Sequence, residues 1–251
     1  MEENHNGVWL EQHIVHTSNT DLNGQAKLSF LLDMLQWAAD SAVGALGVSL
    51  EKMLDAQMGW MMITLDLELK QTPRQGESLT IKTWSKGTKG ALWQRDYRIF
   101  DAAEKEIACA RSIWALVDTD KRKILRPSAL PVEVQHYTGD SVGEPPSKVS
   151  LPQELPLTEV YTSSVRYSGL DQYGHLNNAR YGDLCCDAIP VEQWSQQEIR
   201  RFIITYQQEA KHGDEIWIHT AVDEANGVTW IRGADKADKV YFEAMMEWSR
   251  L

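Results

Sequence analysis

Apolar positions along this chain follow two periods, in the same order twice. Leu28, Leu31, Leu32, Leu35, Ala39, Ala42, Val43 and Leu46 recur on one face at helical spacing, and Gly47 offers a stop. Segments at 60–70, 78–85, 92–100 and 107–117 follow, each short and rich in β-branched and aromatic residues, so they read as strands. The pattern then restarts with a shorter helical segment at 178–188, stopped by Ile189-Pro190, and strands at 200–208, 215–222, 229–234 and 240–248. A further strand precedes each set, at 9–15 and 158–165. One helix followed by an antiparallel meander, twice over, predicts an α+β fold. A helix can cover one face of such a sheet, and joining two sheets edge to edge would remove exposed strand edges.

Between the two sets, Gly139, Gly143, Pro145, Pro146, Pro152 and Pro156 interrupt a polar stretch with no sustained period. The expected organisation is an N-terminal unit at 1–135, a linker at 136–157 and a C-terminal unit at 158–251. Turn chemistry repeats with the strands. Asp21-Leu22-Asn23-Gly24-Gln25 opens the first helix, and Asp171-Gln172-Tyr173-Gly174-His175 opens the second. A later turn, Gln71-Thr72-Pro73-Arg74-Gln75-Gly76-Glu77, matches Gln208-Glu209-Ala210-Lys211-His212-Gly213-Asp214.

The copies differ where chemistry is concerned. Gln25 and Thr72 stand in the first unit where His175 and Glu209 stand in the second. Histidine, with an intrinsic pKa of about 6.5, can move protons near neutrality. Taken singly, Asp171 and Asn178 are ordinary helix caps, Gly174 a turn residue and Glu209 an exposed turn acid. The asymmetry between halves lifts them: it is the pattern of a duplicated unit with one surviving active site.

Charge and cysteine content narrow the function class. The net charge of -11 argues against a phosphate-backbone binder. It is uneven: 15 Lys+Arg against 18 Asp+Glu through residue 135, then 10 against 18. An acidic partner would have to use a local basic patch in the first unit, such as Lys86, Lys89, Arg95 and Arg98 or the run Lys121-Arg122-Lys123. These residues also read simply as solvated strand ends and turns. No apolar run reaches the roughly 18 residues of a membrane span, so no membrane partner is expected. Met1–Asn6 lacks a signal-peptide pattern, and three cysteines with no metal spacing fit a reducing cytoplasm. No metal-ligand cluster or phosphate-cradling glycine loop calls for a metal or cofactor.

The run Asp171…His175-Leu176-Asn177-Asn178-Ala179-Arg180-Tyr181, with Tyr206-Gln207-Gln208-Glu209-Ala210-Lys211-His212-Gly213-Asp214 after it, resembles the signature of the fatty acyl–acyl carrier protein thioesterases of plants and bacteria. The likeness covers essentially the whole chain. It implies a double hotdog fold, two tandem units in which a curved antiparallel sheet wraps a central helix. It implies hydrolysis of fatty acyl–acyl carrier protein in fatty acid biosynthesis, without cofactor, by a monomer or homodimer. Asp171, His175, Glu209, Tyr173 and Asn177 would then be catalytic. Water would attack directly, with His175 and Glu209 sharing the base role, Asp171 holding the histidine, and backbone amides of the Leu176-Asn177-Asn178 step meeting the oxyanion. The thiolate, with a pKa of about 8.5, needs little help to leave.

Substrate would also touch Asn178 and, in the N-terminal unit that lines the acyl tunnel in this family, Trp37, Trp60 and Met62; Met53, Met58 and Met61 belong to the same apolar set. Two residues depart from the family pattern. Tyr173 replaces an asparagine, losing the amide's paired donor and acceptor, and Ala210 replaces a cysteine, which excludes a cysteine-acyl intermediate there. Cys185 and Cys186 read as core filler. An acyl-coenzyme A thioesterase and a non-catalytic acyl-binding hotdog, the latter favoured by Tyr173, are the alternatives. A hotdog hydratase would carry an acid where this chain has Asn177.

Overall fold

The alternating segments condense into a single curved sheet with helices against its inner face. A computed structural model describes residues 7–250; the opening stretch 1–6 and residue 251 lie outside the described residues. The first set of strands is β1 (Val8–Ile14), β2 (Met58–Leu69), β3 (Ser78–Lys89), β4 (Leu92–Phe100), β5 (Glu106–Asp118) and a short β6 (Lys123–Ile124). The second is β7 (Thr158–Ser164), β8 (Gln197–Tyr206), β9 (Glu215–Asp223), β10 (Val228–Ala234) and β11 (Val240–Arg250). They form one antiparallel sheet in the order β1-β3-β4-β5-β2-β8-β11-β10-β9-β7, with β6 added to β5. Outward from the central β2–β8 pair, both halves run through the same succession of strands. This is the double hotdog expected from the sequence, its two half-sheets joined edge to edge from Thr64↔Thr205 to Glu68↔Arg201.

The seam pairs buried apolar residues such as Leu67 and Phe202 and also carries a charged cluster. Asp66 is 1% exposed, and its carboxylate accepts from Arg201 Nε at 2.9 Å and Nη2 at 2.8 Å, and from Arg111. A buried carboxylate held by two guanidinium groups keeps its charge without an unpaired lone pair.

Helix α1 (Leu28–Gly44) buries the predicted stripe from Leu28 to Val43, with Leu31 and Leu35 essentially inaccessible, whereas Leu46, expected in it, lies past the helix end and is only partly buried. Helix α3 (Arg180–Asp187) packs beside it; Gly182 makes the close approach possible, because a Cβ there would sit 2.8 Å from Leu32 Cδ1. Between them in sequence lies α2 (Leu50–Asp55), a short helix that periodicity does not foretell. Six residues are too few to show a period; its signal is the cap, Ser49 Oγ accepting from Lys52 N at 3.4 Å.

Residues 136–157 carry no helix or strand, yet they are not a free tether. Arg98 grips Asp140 through two 2.8 Å bonds, Val142 N–H donates to Asp96 Oδ2 at 2.8 Å, and Val149 N–H donates to Thr205 Oγ1 at 2.8 Å. The segment is therefore strapped to side chains of both half-sheets. No helix among the described residues is long and apolar enough to cross a membrane.

Candidate active site

The site grows from the turn before α3. Asp171 Oδ1 accepts from the backbone N–H of Tyr173 at 2.9 Å and of His175 at 3.0 Å, while the Asp171 N–H donates to the His175 carbonyl at 2.8 Å. Gly174, at φ +78°, makes the sharp reversal between them. The Leu176 N–H then donates to the Ala210 carbonyl at 2.8 Å, tying this turn to the one that follows β8. That second turn carries Glu209. The two ties bring His175 Nε2 to 3.2 Å from Glu209 Oε2, although 34 positions separate them in the chain. Glu209 is also ion-paired with Arg122, from the turn between β5 and β6. Both side chains stay partly open, His175 at 21% and Glu209 at 30% exposure, so water can reach them.

A cleft of about 530 Å³ lies in front of this pair, within the usual size of a ligand site. His175, Tyr173, Asn178 and Glu209 line it from the C-terminal half, and Trp60 and Met62 of β2 line it from the N-terminal half. The cleft thus lies between the two halves. Tyr173 reaches across it: its hydroxyl donates to the Met58 carbonyl at 3.3 Å, and its ring fills the place a side chain at Gly59 would take, 3.3 Å from a Cβ built there. Burial raises the Tyr173 hydroxyl above its ordinary range, so it is a neutral donor at neutral pH.

Not every residue singled out in the sequence reaches the cleft. Asp171 is at its wall; its Oδ1 accepts from the backbone, and among the described residues it makes no hydrogen bond to the imidazole, so it positions His175 through the turn. Asn177 lies outside the lining; its Oδ1 accepts from Ala179 N at 2.8 Å, a helix-start role. The expected amide donors are also partly used: Leu176 N–H goes to Ala210 and Asn177 N–H to Gly169. The Asn178 N–H has no protein acceptor among the described residues, and Asn178 does line the cleft. Trp37 stands on the outer side of α1, 46% exposed and stacked on His13 with ring centroids 5.6 Å apart. Two residues beyond Leu35, it is about 200° round the helix from the buried stripe, which explains its placement.

Arg122 was visible in the sequence only as one member of a basic run. Its pairing with Glu209 spans 87 positions, and no local pattern announces it. Cys185 and Cys186 are free thiols whose pKa values burial pushes upward, in keeping with packing and not with nucleophilic attack.

The first half repeats the construction without the chemistry. Asp21 Oδ1 accepts from Asn23 N and Gln25 N, both at 2.9 Å, and the Ala26 N–H donates to the Pro73 carbonyl at 2.7 Å. This pairing sets Thr72 where Glu209 stands in the other half. A cleft of about 390 Å³ faces Gln25 and Thr72, so the fold contains two pseudosymmetric clefts and only one has a histidine facing a carboxylate.

Family models agree with this architecture over most of the chain. The N-terminal domain of acyl-ACP thioesterases matches residues 6–131 and the C-terminal domain matches residues 156–250. Among curated proteins, a chloroplastic palmitoyl-acyl carrier protein thioesterase of Cuphea hookeriana is 24% identical over 236 residues, covering 88% of this chain and 56% of the relative. The chain therefore spans about half the length of the curated relatives it matches. In fold, an acyl-ACP thioesterase from Bacteroides thetaiotaomicron superposes with a TM-score of 0.79 at 23% identity, covering 97% of this chain and 98% of that one. A 12:0-ACP thioesterase from Umbellularia californica gives a TM-score of 0.79 at 15% identity, covering 99% and 100%. With both domain models matched in order, this chain belongs to the acyl-ACP thioesterase family.

Proposed function

We propose that this protein hydrolyses the thioester of fatty acyl–acyl carrier protein, releasing free fatty acid for lipid synthesis, in the cytoplasm. The observation that carries this reading is the His175 Nε2–Glu209 Oε2 contact of 3.2 Å at an open cleft, set against a copy holding Gln25 and Thr72. In this scheme, residues 158–251 supply the reacting groups. The N-terminal unit, residues 1–135, receives the acyl chain beside Trp60 and Met62, and the segment 136–157 joins them.

Water held between His175 and Glu209 loses a proton to that pair as its oxygen bonds to the thioester carbon. Arg122 holds the Glu209 carboxylate in place through their ion pair. Asp171 fixes the backbone beneath His175. The Asn178 N–H, unspent by the protein, is placed to meet the oxyanion, a donor role that passes to it from Asn177. The carbon–sulfur bond then breaks, the proton passes to the departing thiolate, and a carboxylic acid leaves. Tyr173 closes the wall of the cleft. Two joined half-sheets already provide the sheet pairing a hotdog unit needs, so a monomer suffices and a homodimer adds no missing residue.

Free-thiol release from acyl carrier protein loaded with a fatty acyl group tests the reading. Wild-type protein should turn over, and His175→Ala and Glu209→Gln should each lose most activity while melting normally. Near-normal rates in both variants would sink it. Matched coenzyme A substrates identify the carrier, and acyl binding without turnover would instead make this a non-catalytic acyl-binding protein.

A further inference from the structure

The cleft wall continues inward along the N-terminal half-sheet. Met62 pairs with Trp114 across β2 and β5, and Trp114 pairs with Trp93 across β5 and β4. Paired residues of antiparallel strands share a face, so these three side chains form one row running away from the reacting groups. In the adjoining row Ser112 pairs with Arg95, and Arg95 with Ser85. Two strand spacings, about 10 Å, separate Met62 from Trp93 and Arg95. A small cavity of about 30 Å³ lies there, under α1, with Trp60, Trp93, Trp114 and Arg95 in its walls. Trp60 also lines the reactive cleft, so it stands between the two spaces.

This inner cavity is unusual in what it offers. Trp60 Nε1 and Trp93 Nε1 are buried with no hydrogen-bond partner. Arg95 is 9% exposed and donates one side-chain hydrogen bond, to Thr83 Oγ1 at 3.2 Å. No carboxylate among the described residues lies within ion-pair distance of Arg95. Asp40, on α1 at the rim, is the nearest acid; it attracts Arg95 across the cavity without an ion-pair contact, and burial pushes its carboxyl up to about 6. A buried guanidinium with one hydrogen bond, beside two buried indole N–H groups that have no acceptor among the described residues, is costly. All these groups donate, so the missing component is an acceptor. An alkyl tail reaching this point would leave the two indole N–H groups without an acceptor.

Building on the thioesterase reading, we propose that the acyl group bound here carries a hydrogen-bond-accepting oxygen, as hydroxyl, keto or carboxylate, near its far end, and that Arg95, Trp60 and Trp93 read it. Donors fixed in a dry pocket discriminate strongly against an analogue that lacks the acceptor.

Calorimetric binding of non-hydrolysable amide analogues of acyl-pantetheine, equal in chain length and ending in methyl, hydroxyl or carboxylate, tests the proposal on the full chain. Wild-type protein should bind an oxygenated tail at least about tenfold more tightly than the methyl one. The hydroxyl and carboxylate arms tell a neutral acceptor from an anion. Arg95→Met should abolish the preference and Trp93→Phe should weaken it. Trp93→Phe keeps the test open if Arg95→Met does not fold, because it removes one N–H and little volume. Equal or tighter binding of the methyl analogue by the wild type overturns the proposal, as does a preference that survives both substitutions. A tail preference without hydrolysis of any thioester would count against the thioesterase reading alone. Hydrolysis with no tail preference would count against this inference alone.

Discussion

The two clefts are built by the same backbone and differ in a handful of side chains. In each, an aspartate accepts from two main-chain amides of its own turn, a glycine at positive φ reverses the chain, and an amide–carbonyl bond ties the turn to a second loop. In the C-terminal cleft that loop delivers Glu209 to His175. In the N-terminal one it delivers Thr72, whose hydroxyl donates to Glu198 Oε2 at 3.2 Å, beside Gln25. The scaffold is thus indifferent to catalysis. Features shared by the two clefts belong to folding, and the unshared pair is what we assign to function.

The largest expected effect breaks the comparison at its reacting pair. His175→Ala and Glu209→Gln should each lower kcat by about 10²–10⁴-fold, the usual worth of a positioned acid–base group. Gln25→Ala and Thr72→Ala, at the matching places, should leave kcat within about twofold, because neither touches the reacting pair. Steady-state kinetics on all four variants checks this, and a large loss in the second pair would mean that both clefts work.

Arg122→Ala should come next. It frees Glu209 from its ion pair without removing it, so kcat should fall by about 10-fold, roughly the worth of one charge-assisted bond, with the melting temperature little changed at so exposed a residue. A loss confined to KM would instead assign Arg122 to binding the carrier.

Aspartate substitution separates folding from function within one residue type. Asp21→Ala and Asp171→Ala each strand two turn amides, and each should cost about 1–2 kcal/mol of stability, as a lost cap does. Only Asp171→Ala should also reduce kcat, because His175 rides on its turn. Chemical denaturation and kinetics on the pair give both readouts; equal kcat losses would overturn the distinction.

Much of this was legible in the sequence, for identifiable reasons. Long strands and the α1 stripe announce themselves because burial on one face repeats at a fixed period. The match of Thr72 to Glu209 was legible because the turn glycines Gly76 and Gly213 keep the same spacing. Short or long-range features were not. Helix α2 is held by a cap, and the straps from Asp140 and Val149 depend on partners far away in sequence. Which amide near the helix start stays free depends on the Ala210 and Gly169 carbonyls, so preferring Asn178 over Asn177 needed three dimensions. Trp37 was misplaced because bulk and hydrophobicity outweighed its angle on the helix.

The smallest expected effect concerns the residue that departs most visibly from the family pattern. Tyr173 and Asn23 occupy the same position of the two turns, and both reach across to the opposite half. Asn23 Nδ2 donates to the Trp194 carbonyl at 2.8 Å, while Tyr173 Oη donates to the Met58 carbonyl at 3.3 Å. If both are latches, removing the longer bond matters less. Tyr173→Phe keeps the ring against Gly59 and should cost under about 0.5 kcal/mol, with kcat within about threefold. Asn23→Ala should cost about 1 kcal/mol with kcat unchanged. Paired denaturation curves and rates decide the matter. Turnover slowed about a hundredfold or more in Tyr173→Phe would make its hydroxyl part of the chemistry, and the asymmetry between the clefts would then include a third reacting group.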